Sequence, residues 1–205
     1  RFLYILKYGI AYVKMEREVD GKIESTDQKH IRRYQQLFAS LAIRQKLSEG
    51  ATSGVVWHTQ GSGKSLTMVM VAKYILMEMS RFNPRVVIVT DRKELDKQIA
   101  KTFAHTRLSP ARATSGKHLI DLINKGSADV ITSIINKFNT VESSGLKNDS
   151  RDIFVLIDES HRSNYGSLAT KMRVVFPNAC YIGFTGTPLM KNEKNTMEKF
   201  GRLSH

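Results

Sequence analysis

Four short runs of consecutive apolar residues punctuate the chain, Gly54-Val55-Val56-Trp57, Val86-Val87-Ile88-Val89, Ile153-Phe154-Val155-Leu156-Ile157 and Cys180-Tyr181-Ile182-Gly183-Phe184, and Asp129-Val130-Ile131-Thr132-Ser133 reads as a further strand around its Val-Ile pair. Unbroken β-branched runs of this length predict strands buried on both faces, the habit of parallel sheets. Helical periodicity fills the intervals. Ile31 to Leu47 predicts a helix ending near Gly50, with Ile31, Tyr34, Leu37, Phe38, Leu41 and Ile43 as its packing stripe. Leu66 to Met79 predicts a second helix whose methionines fill core space. A third opens at Thr90-Asp91-Arg92 and runs to about Phe103, and Ile134 to Phe138 predicts a short one. Strands alternating with helices predict an α/β domain built on a doubly wound, mainly parallel sheet. Outside that alternation, Arg1 to Tyr12 spaces its apolar residues helically and Glu18 to Lys29 reads as a polar linker. Asn139 to Ser150, rich in Ser, Asn and Gly, predicts an exposed mobile loop.

The first predicted strand runs into Trp57-His58-Thr59-Gln60-Gly61-Ser62-Gly63-Lys64-Ser65, and the Leu66 helix follows. A strand, a glycine-rich turn ending Gly-Lys-Ser and a helix form a cradle for a nucleoside triphosphate. Thr59, Gln60, Gly61, Ser62 and Gly63 would supply backbone N–H groups to phosphate oxygens, and the helix N-terminus adds its positive dipole end. Lys64 would reach the β- and γ-phosphates and the Ser65 hydroxyl would ligate Mg²⁺, so ATP with Mg²⁺ is the expected cofactor pair. The first glycine of the usual G-x-x-x-x-G-K-[ST] pattern is replaced by His58, which opens the loop rather than touching phosphate. The alternative is a Gly/Ser turn that happens to end in Lys-Ser.

The fourth strand run ends in Asp158-Glu159-Ser160-His161. Open α/β sheets bind ligands at the carboxyl ends of their strands, which puts this acidic pair beside the phosphate loop. Asp158 would hold Mg²⁺ through its water shell, and Glu159 would orient the water that attacks the γ-phosphate. An isolated Asp-Glu pair also serves as a helix cap; its pairing with a phosphate loop favours the catalytic reading. After the last run comes Thr185-Gly186-Thr187-Pro188, which could relay hydrogen bonds from the acidic site to a bound polymer and taken alone is an ordinary turn.

Charge narrows the partners. With 32 Lys and Arg against 19 Asp and Glu, the net charge of +13 favours a polyanion, though it cannot separate DNA from RNA or acidic lipid. The basic residues are scattered, so an ordinary solvated surface accounts for any one of them. A 41% hydrophobic content over 205 residues suits one soluble, well-buried domain, and no segment is long and apolar enough to cross a bilayer. The one cysteine, Cys180, sits in a predicted strand; it reads as a core residue in a reducing, cytoplasmic compartment. Three D-x-K triplets, at Asp20, Asp27 and Asp91, each lack an upstream acidic partner on a strand and do not make a nuclease site.

Taken together, the phosphate loop, the Asp158-Glu159-Ser160-His161 box and the Thr185-Gly186-Thr187-Pro188 segment resemble the first motor domain of superfamily 2 helicases and translocases. More narrowly, Val55 to Met68, Val89-Thr90-Asp91-Arg92-Lys93-Glu94-Leu95, Asp158 to Arg162 and Gly183 to Pro188 are similar to the motor subunit of type I restriction enzymes, where a histidine at position 58 is expected. The resemblance implies a RecA-like P-loop NTPase fold over residues 30–205. It implies a connector over residues 1–29 from a missing upstream nuclease domain, the chain beginning at Arg1 rather than Met. It implies an ATP-driven pump of double-stranded DNA working with a second motor domain and with methylation and specificity subunits, and no membrane. His161 then joins Lys64, Asp158 and Glu159 as catalytic. Gln35, in Arg33-Tyr34-Gln35, resembles the adenine-recognition segment, its amide meeting the adenine edge while an aromatic neighbour stacks; a capping or surface role stands beside that reading. Thr90 and Arg92, Thr132 and Ser133, and Thr185, Gly186 and Thr187 resemble strand-tracking and coupling motifs, with helix capping by Asp91 and Ser133 the alternative. Two other functions remain open: a strand-separating helicase of the same superfamily, and a nucleotide-gated nucleic-acid-binding module without turnover.

Overall fold

The computed structural model describes residues 10–19, 22–31, 33–59, 61–79, 83–90, 99, 103, 110–143, 145–158 and 165–186. Its centre is a six-stranded parallel sheet. In chain order the described strands are β1 (Ile10–Val19), β2 (Lys22–Ile31), β3 (Ser53–Trp57), β4 (Arg85–Thr90), β5 (Ala111–Arg112), β6 (Val130–Ile134), β7 (Ile153–Asp158) and β8 (Cys180–Thr185). The described helices are α1 (Tyr34–Ser48), α2 (Lys64–Glu78), α3 (Gly116–Asn124), α4 (Lys137–Ser143) and α5 (Tyr165–Val175). Across the large sheet the order is β3-β8-β7-β4-β6-β5.

Strand pleat divides the core in two. Val55, Val87, Val89, Ile131, Val155, Ile157 and Tyr181 point to one face, where Leu119, Ile120 and Ile123 of α3, Phe138 and Val141 of α4, and Met172 and Val175 of α5 cover them. Their strand neighbours Val56, Val86, Ile88, Val130, Phe154, Leu156, Ile182 and Phe184 point to the other, under Ala39 and Ile43 of α1 and Met68, Val69, Val71, Ala72 and Ile75 of α2. Alternate residues of every central strand therefore meet helices on both sides, which is why the runs are continuously apolar. This is the doubly wound α/β arrangement that the alternation predicts.

Four expectations need correction. Residues 10–12 are not helical, and Glu18 to Lys29 is not a linker: β1 and β2 pair antiparallel from Ile10↔Ile31 to Val19↔Lys22 as a separate two-stranded sheet. Ladder hydrogen bonds override the weak helical spacing there, while residues 1–9 lie outside the described set. Ile31 ends β2, and α1 begins at Tyr34 after an extended Arg33 (φ −69, ψ 158). The buried stripe of α1 is Gln36, Ala39, Ser40 and Ile43, whereas Ile31, Tyr34 and Phe38 are exposed. Small residues on the inner face let α1 lie close to α2 and the phosphate loop, and the large apolar ones turn outward. Finally, Ile134 closes β6, and the short helix falls later, at Lys137–Ser143, absorbing the start of the expected 139–150 loop because Val141 is buried. The helix expected from Thr90 lies mostly outside the described residues; Ile99 and Phe103 are helical and buried. Among the described residues, no helix is long and apolar enough to cross a membrane.

Candidate nucleotide-binding site

Parallel strands bring all their carboxyl ends to one edge, and the register fixes which residues meet there. Trp57 at the end of β3 pairs with Thr185 of β8, and Asp158 at the end of β7 pairs with Phe184 beside it. Val89 of β4 pairs with Ile157, so Thr90 reaches the same edge, and Thr90 pairs with Ile134 of β6. The phosphate loop leaves β3 and Asp158 ends β7, two strand spacings apart, roughly 10 Å across the sheet. That gap accommodates a triphosphate lying between a cationic loop and a carboxylate.

Within the loop, Gly61 (φ 78) and Gly63 (φ 84) take the left-handed conformation that side chains resist. A Cβ on Gly61 would meet nothing within 4 Å, so the loop opens onto free space on that side. Ser62 N–H donates to Thr59 O (3.1 Å), which closes the turn. Gly63 is the N-cap of α2 and makes no side-chain cap. The first N–H groups of α2 thus present themselves to an anion together with the helix dipole.

His58 is buried at the root of the loop rather than marking a tolerated gap in the motif. Its backbone N–H donates to Thr185 O (2.8 Å), joining the loop to β8. Nδ1 lies 2.8 Å from Ser62 Oγ and Nε2 lies 3.5 Å from Thr67 Oγ1 on α2. Thr67 Oγ1 itself donates to Gly63 O (3.3 Å). With that proton committed, the consistent arrangement has Nε2–H donating to Thr67 and Nδ1 accepting from Ser62. Burial, reinforced by the Lys64 cation, holds the imidazole below its usual pKa of 6.5. The folded state therefore binds fewer protons than the unfolded chain just below 6.5, and acid favours unfolding. The thermal midpoint is expected to fall as pH drops from about 7.5 to about 5.5, and His58→Gln, which cannot titrate, should flatten that slope. Identical slopes for wild type and variant would show that His58 contributes none of it.

Opposite the loop, Asp158 is buried at the end of β7. The Ser65 hydroxyl and a carboxylate are hard oxygen donors of the kind Mg²⁺ takes, with phosphate and water completing its octahedron. No group of three or more His, Cys, Asp or Glu gathers for a metal among the described residues. Glu159 and His161, like Gln60, Arg92 and Thr187, lie outside the described residues.

Beside the loop runs a groove of about 610 Å³, walled by Tyr34, Gln35 and Phe38 of α1 and by Trp57, His58 and Thr59. Its aromatic residues are well exposed: Tyr34 68%, Phe38 55% and Trp57 46%. Gln35 Oε1 is buried without a hydrogen-bond partner among the described residues, which costs stability unless a donor arrives. An amino group on a flat aromatic ligand satisfies both features at once.

The predicted coupling residues sit at or just inside the same sheet edge. Thr90, Thr132, Ser133 and Thr185 are all fully buried, while Gly186 is half-buried just beyond β8. Ser133 lies within β6, its Oγ donating to Ile134 O (3.4 Å), and so does not cap α4. Cys180 donates to Ala51 O (3.6 Å), and burial pushes its thiol up to about 12, as a core residue rather than a nucleophile. Two contributors escape the motif reading: Gln36, whose carboxamide reaches the phosphate loop, and Trp57, which walls the groove. The doubled glutamine at 35–36 is the available signal for the first; nothing in the string marks Trp57 as exposed.

Residues 35–205 match the SWI2/SNF2 ATPase family, and the chain belongs to it. The fold agrees. It superposes on the Sulfolobus solfataricus SWI2/SNF2 ATPase core in complex with double-stranded DNA with a TM-score of 0.61 at 17% identity, over 83% of this chain and 36% of that one. The Pyrococcus furiosus Hef helicase domain gives 0.59 at 21% identity, over 84% and 38%. These likenesses show that the sheet has the RecA-like fold. In sequence, the chain is similar to type I restriction enzyme endonuclease subunits. It is 36% identical over 169 residues to the HindI subunit of Haemophilus influenzae, covering 73% of this chain and 16% of that one. It is 32% identical over 181 residues to the SsaAORF53P subunit of Staphylococcus saprophyticus, covering 83% and 19%. The chain thus spans less than a fifth of the length of these relatives.

Proposed function

We propose that residues 30–205 form the first, ATP-hydrolysing motor lobe of a type I restriction endonuclease subunit and drive movement along double-stranded DNA, with residues 1–29 joining it to the rest of that subunit. The observation that carries this reading is the shared sheet edge: the phosphate loop, Thr185, Asp158 and Thr90 end four adjacent strands in register. The restriction-subunit relatives and the DNA complex of the structural neighbour support duplex DNA as the polymer and the methylation and specificity subunits as partners.

In this reading the N–H groups of the loop and α2 bind the phosphates, Lys64 neutralises the β- and γ-oxygens, and Ser65 and Asp158 hold Mg²⁺. The ion would supply charge neutralisation at the phosphate being transferred. Glu159 holds and polarises the attacking water, His161 joins it, and a second motor lobe contributes an arginine to complete turnover. Gln35 Oε1 accepts from the adenine amino group while Tyr34, Phe38 and Trp57 form the apolar wall for the base. Contacts to the DNA backbone fall to residues that follow the strands in sequence, Arg92 and Thr187 among them. Such contacts are indifferent to sequence, as movement along DNA requires.

Trp57 is the only tryptophan in the chain, which makes the binding step measurable. Adding Mg·ATP should quench or shift its fluorescence saturably, and Trp57→Phe should remove the signal while leaving binding by calorimetry in place. A fluorescence trace unchanged by saturating nucleotide would contradict the groove assignment. Turnover is tested on the full-length protein by phosphate release with and without duplex. Translocation is tested by displacement of a third strand, alongside a strand-separation assay in which no single strands are expected.

A further inference from the structure

Gln36 ties the first turn of α1 to the phosphate loop through one buried carboxamide. Its Nε2 donates to Ser62 O (3.2 Å) and Gly63 O (3.3 Å), while its Oε1 accepts from Arg33 N–H (2.9 Å) at the start of the helix. The side chain is only 3% exposed, so water does not readily replace these bonds. The geometry matters because each carbonyl belongs to a rigid planar unit. In a trans peptide, C=O and the following N–H point in opposite directions. Drawing Ser62 O and Gly63 O toward α1 therefore turns the N–H groups of Gly63 and Lys64 away from α1, toward the mouth of the loop. Gly63 O also accepts from Thr67 N–H (3.1 Å), so the second peptide is held from both sides. A Cβ on Gly63 would collide with Gln36 Nε2, so the glycine leaves room for this carboxamide as well as for its left-handed turn.

We infer that Gln36 is a positioning residue that presets the Gly63 and Lys64 amides for phosphate, and that it links this orientation to the base groove through its neighbour Gln35. The inference rests on the nucleotide-site reading and adds a division of labour to it: one glutamine faces the base and the next sets the loop. Two adjacent residues of one helical turn cannot move independently. A base that draws on Gln35 consequently also fixes the peptide planes that receive the phosphates, and a nucleotide with a poorly fitting base should lose phosphate affinity as well as base affinity.

The test compares ligands that differ only in phosphate, using Gln36→Met in the full-length protein, a variant that retains bulk and loses the donor. Affinity for Mg·ATP and Mg·ADP should fall about 10- to 100-fold, the effect of one or two misaligned hydrogen bonds to a charged group. Affinity for adenosine, which needs only the groove, should change less than about twofold. A general loss of structure would weaken all three ligands together. Gln36→Glu, which preserves the Arg33 cap but sets a carboxylate against two carbonyls, should match or exceed the Gln36→Met loss. Undiminished Mg·ATP affinity in folded Gln36→Met overturns the inference, as does an equal loss for adenosine and ATP. Should neither variant fold, the wild type decides by NMR. The Gln36 Nε2 protons should exchange slowly with solvent and stay protected with Mg·ADP bound, and rapid exchange in that complex overturns the inference. Wild-type protein that binds no nucleotide would instead contradict the underlying site.

Discussion

Lys64→Ala is expected to lower affinity for Mg·ATP by about 100-fold and to bring phosphate release by the full-length protein to background. A lysine bonded to charged phosphate oxygens is worth on the order of 3 kcal/mol in such a site. The residue opens α2, directly after the left-handed Gly63, so the ammonium and the helix amides would act on the same anion. Adenosine affinity should be untouched, because the groove is built from α1 and the end of β3. Calorimetric titration with ATP and adenosine checks both halves. A Lys64→Ala variant that hydrolyses ATP at the wild-type rate would remove the phosphate loop from the mechanism.

Glu159→Gln should separate binding from chemistry. Substituting the group that positions and polarises the attacking water is expected to cut kcat by about 10²- to 10⁴-fold while KM for ATP stays within about threefold. Asp158→Asn should behave differently, raising the Mg²⁺ concentration needed for nucleotide binding, because it is assigned to the metal rather than to the water. Steady-state kinetics at varied ATP and Mg²⁺ distinguish the two carboxylates. DNA-independent turnover unaffected by Glu159→Gln would contradict the motor reading, and absence of turnover in the wild type would favour a nucleotide-gated binding module.

The strands are legible in the sequence because a sheet covered on both faces leaves little room for polar residues. Val86 to Val89 and Ile153 to Ile157 could hardly be anything else, and their ends carry the site with them. The β1–β2 ribbon escapes the apolar pattern because, beyond Ile10-Ala11-Tyr12-Val13, its strands carry mostly charged and polar residues. Yet Asp20-Gly21 between two ten-residue strands is a strong hairpin signal, masked by its place in a scattered D-x-K triplet. Helix α1 is legible, but its inner face is not: hydrophobicity favours Tyr34 and Phe38, whereas close approach to the loop selects Gln36, Ala39 and Ser40. That inversion conceals both Gln36 and the aromatic groove. His58 similarly reads as an absent glycine, when its value lies in two ring nitrogens spanning Ser62 and Thr67. Hydroxyls at Thr90, Thr132 and Ser133 look suited to phosphate, and the string does not show that all three are buried within the sheet. A string displays residue type and spacing; which side of a pleat or helix faces the site is decided by packing partners far away in sequence.

The most direct measurement is a crystal structure of the full-length protein with Mg²⁺ and a non-hydrolysable ATP analogue. Phosphates are expected against the 61–65 amides and Lys64, with one Mg²⁺ about 2.1 Å from Ser65 Oγ and bridged by water to Asp158. An analogue bound elsewhere, or a metal in that loop beyond water-bridged reach of Asp158, would contradict this arrangement.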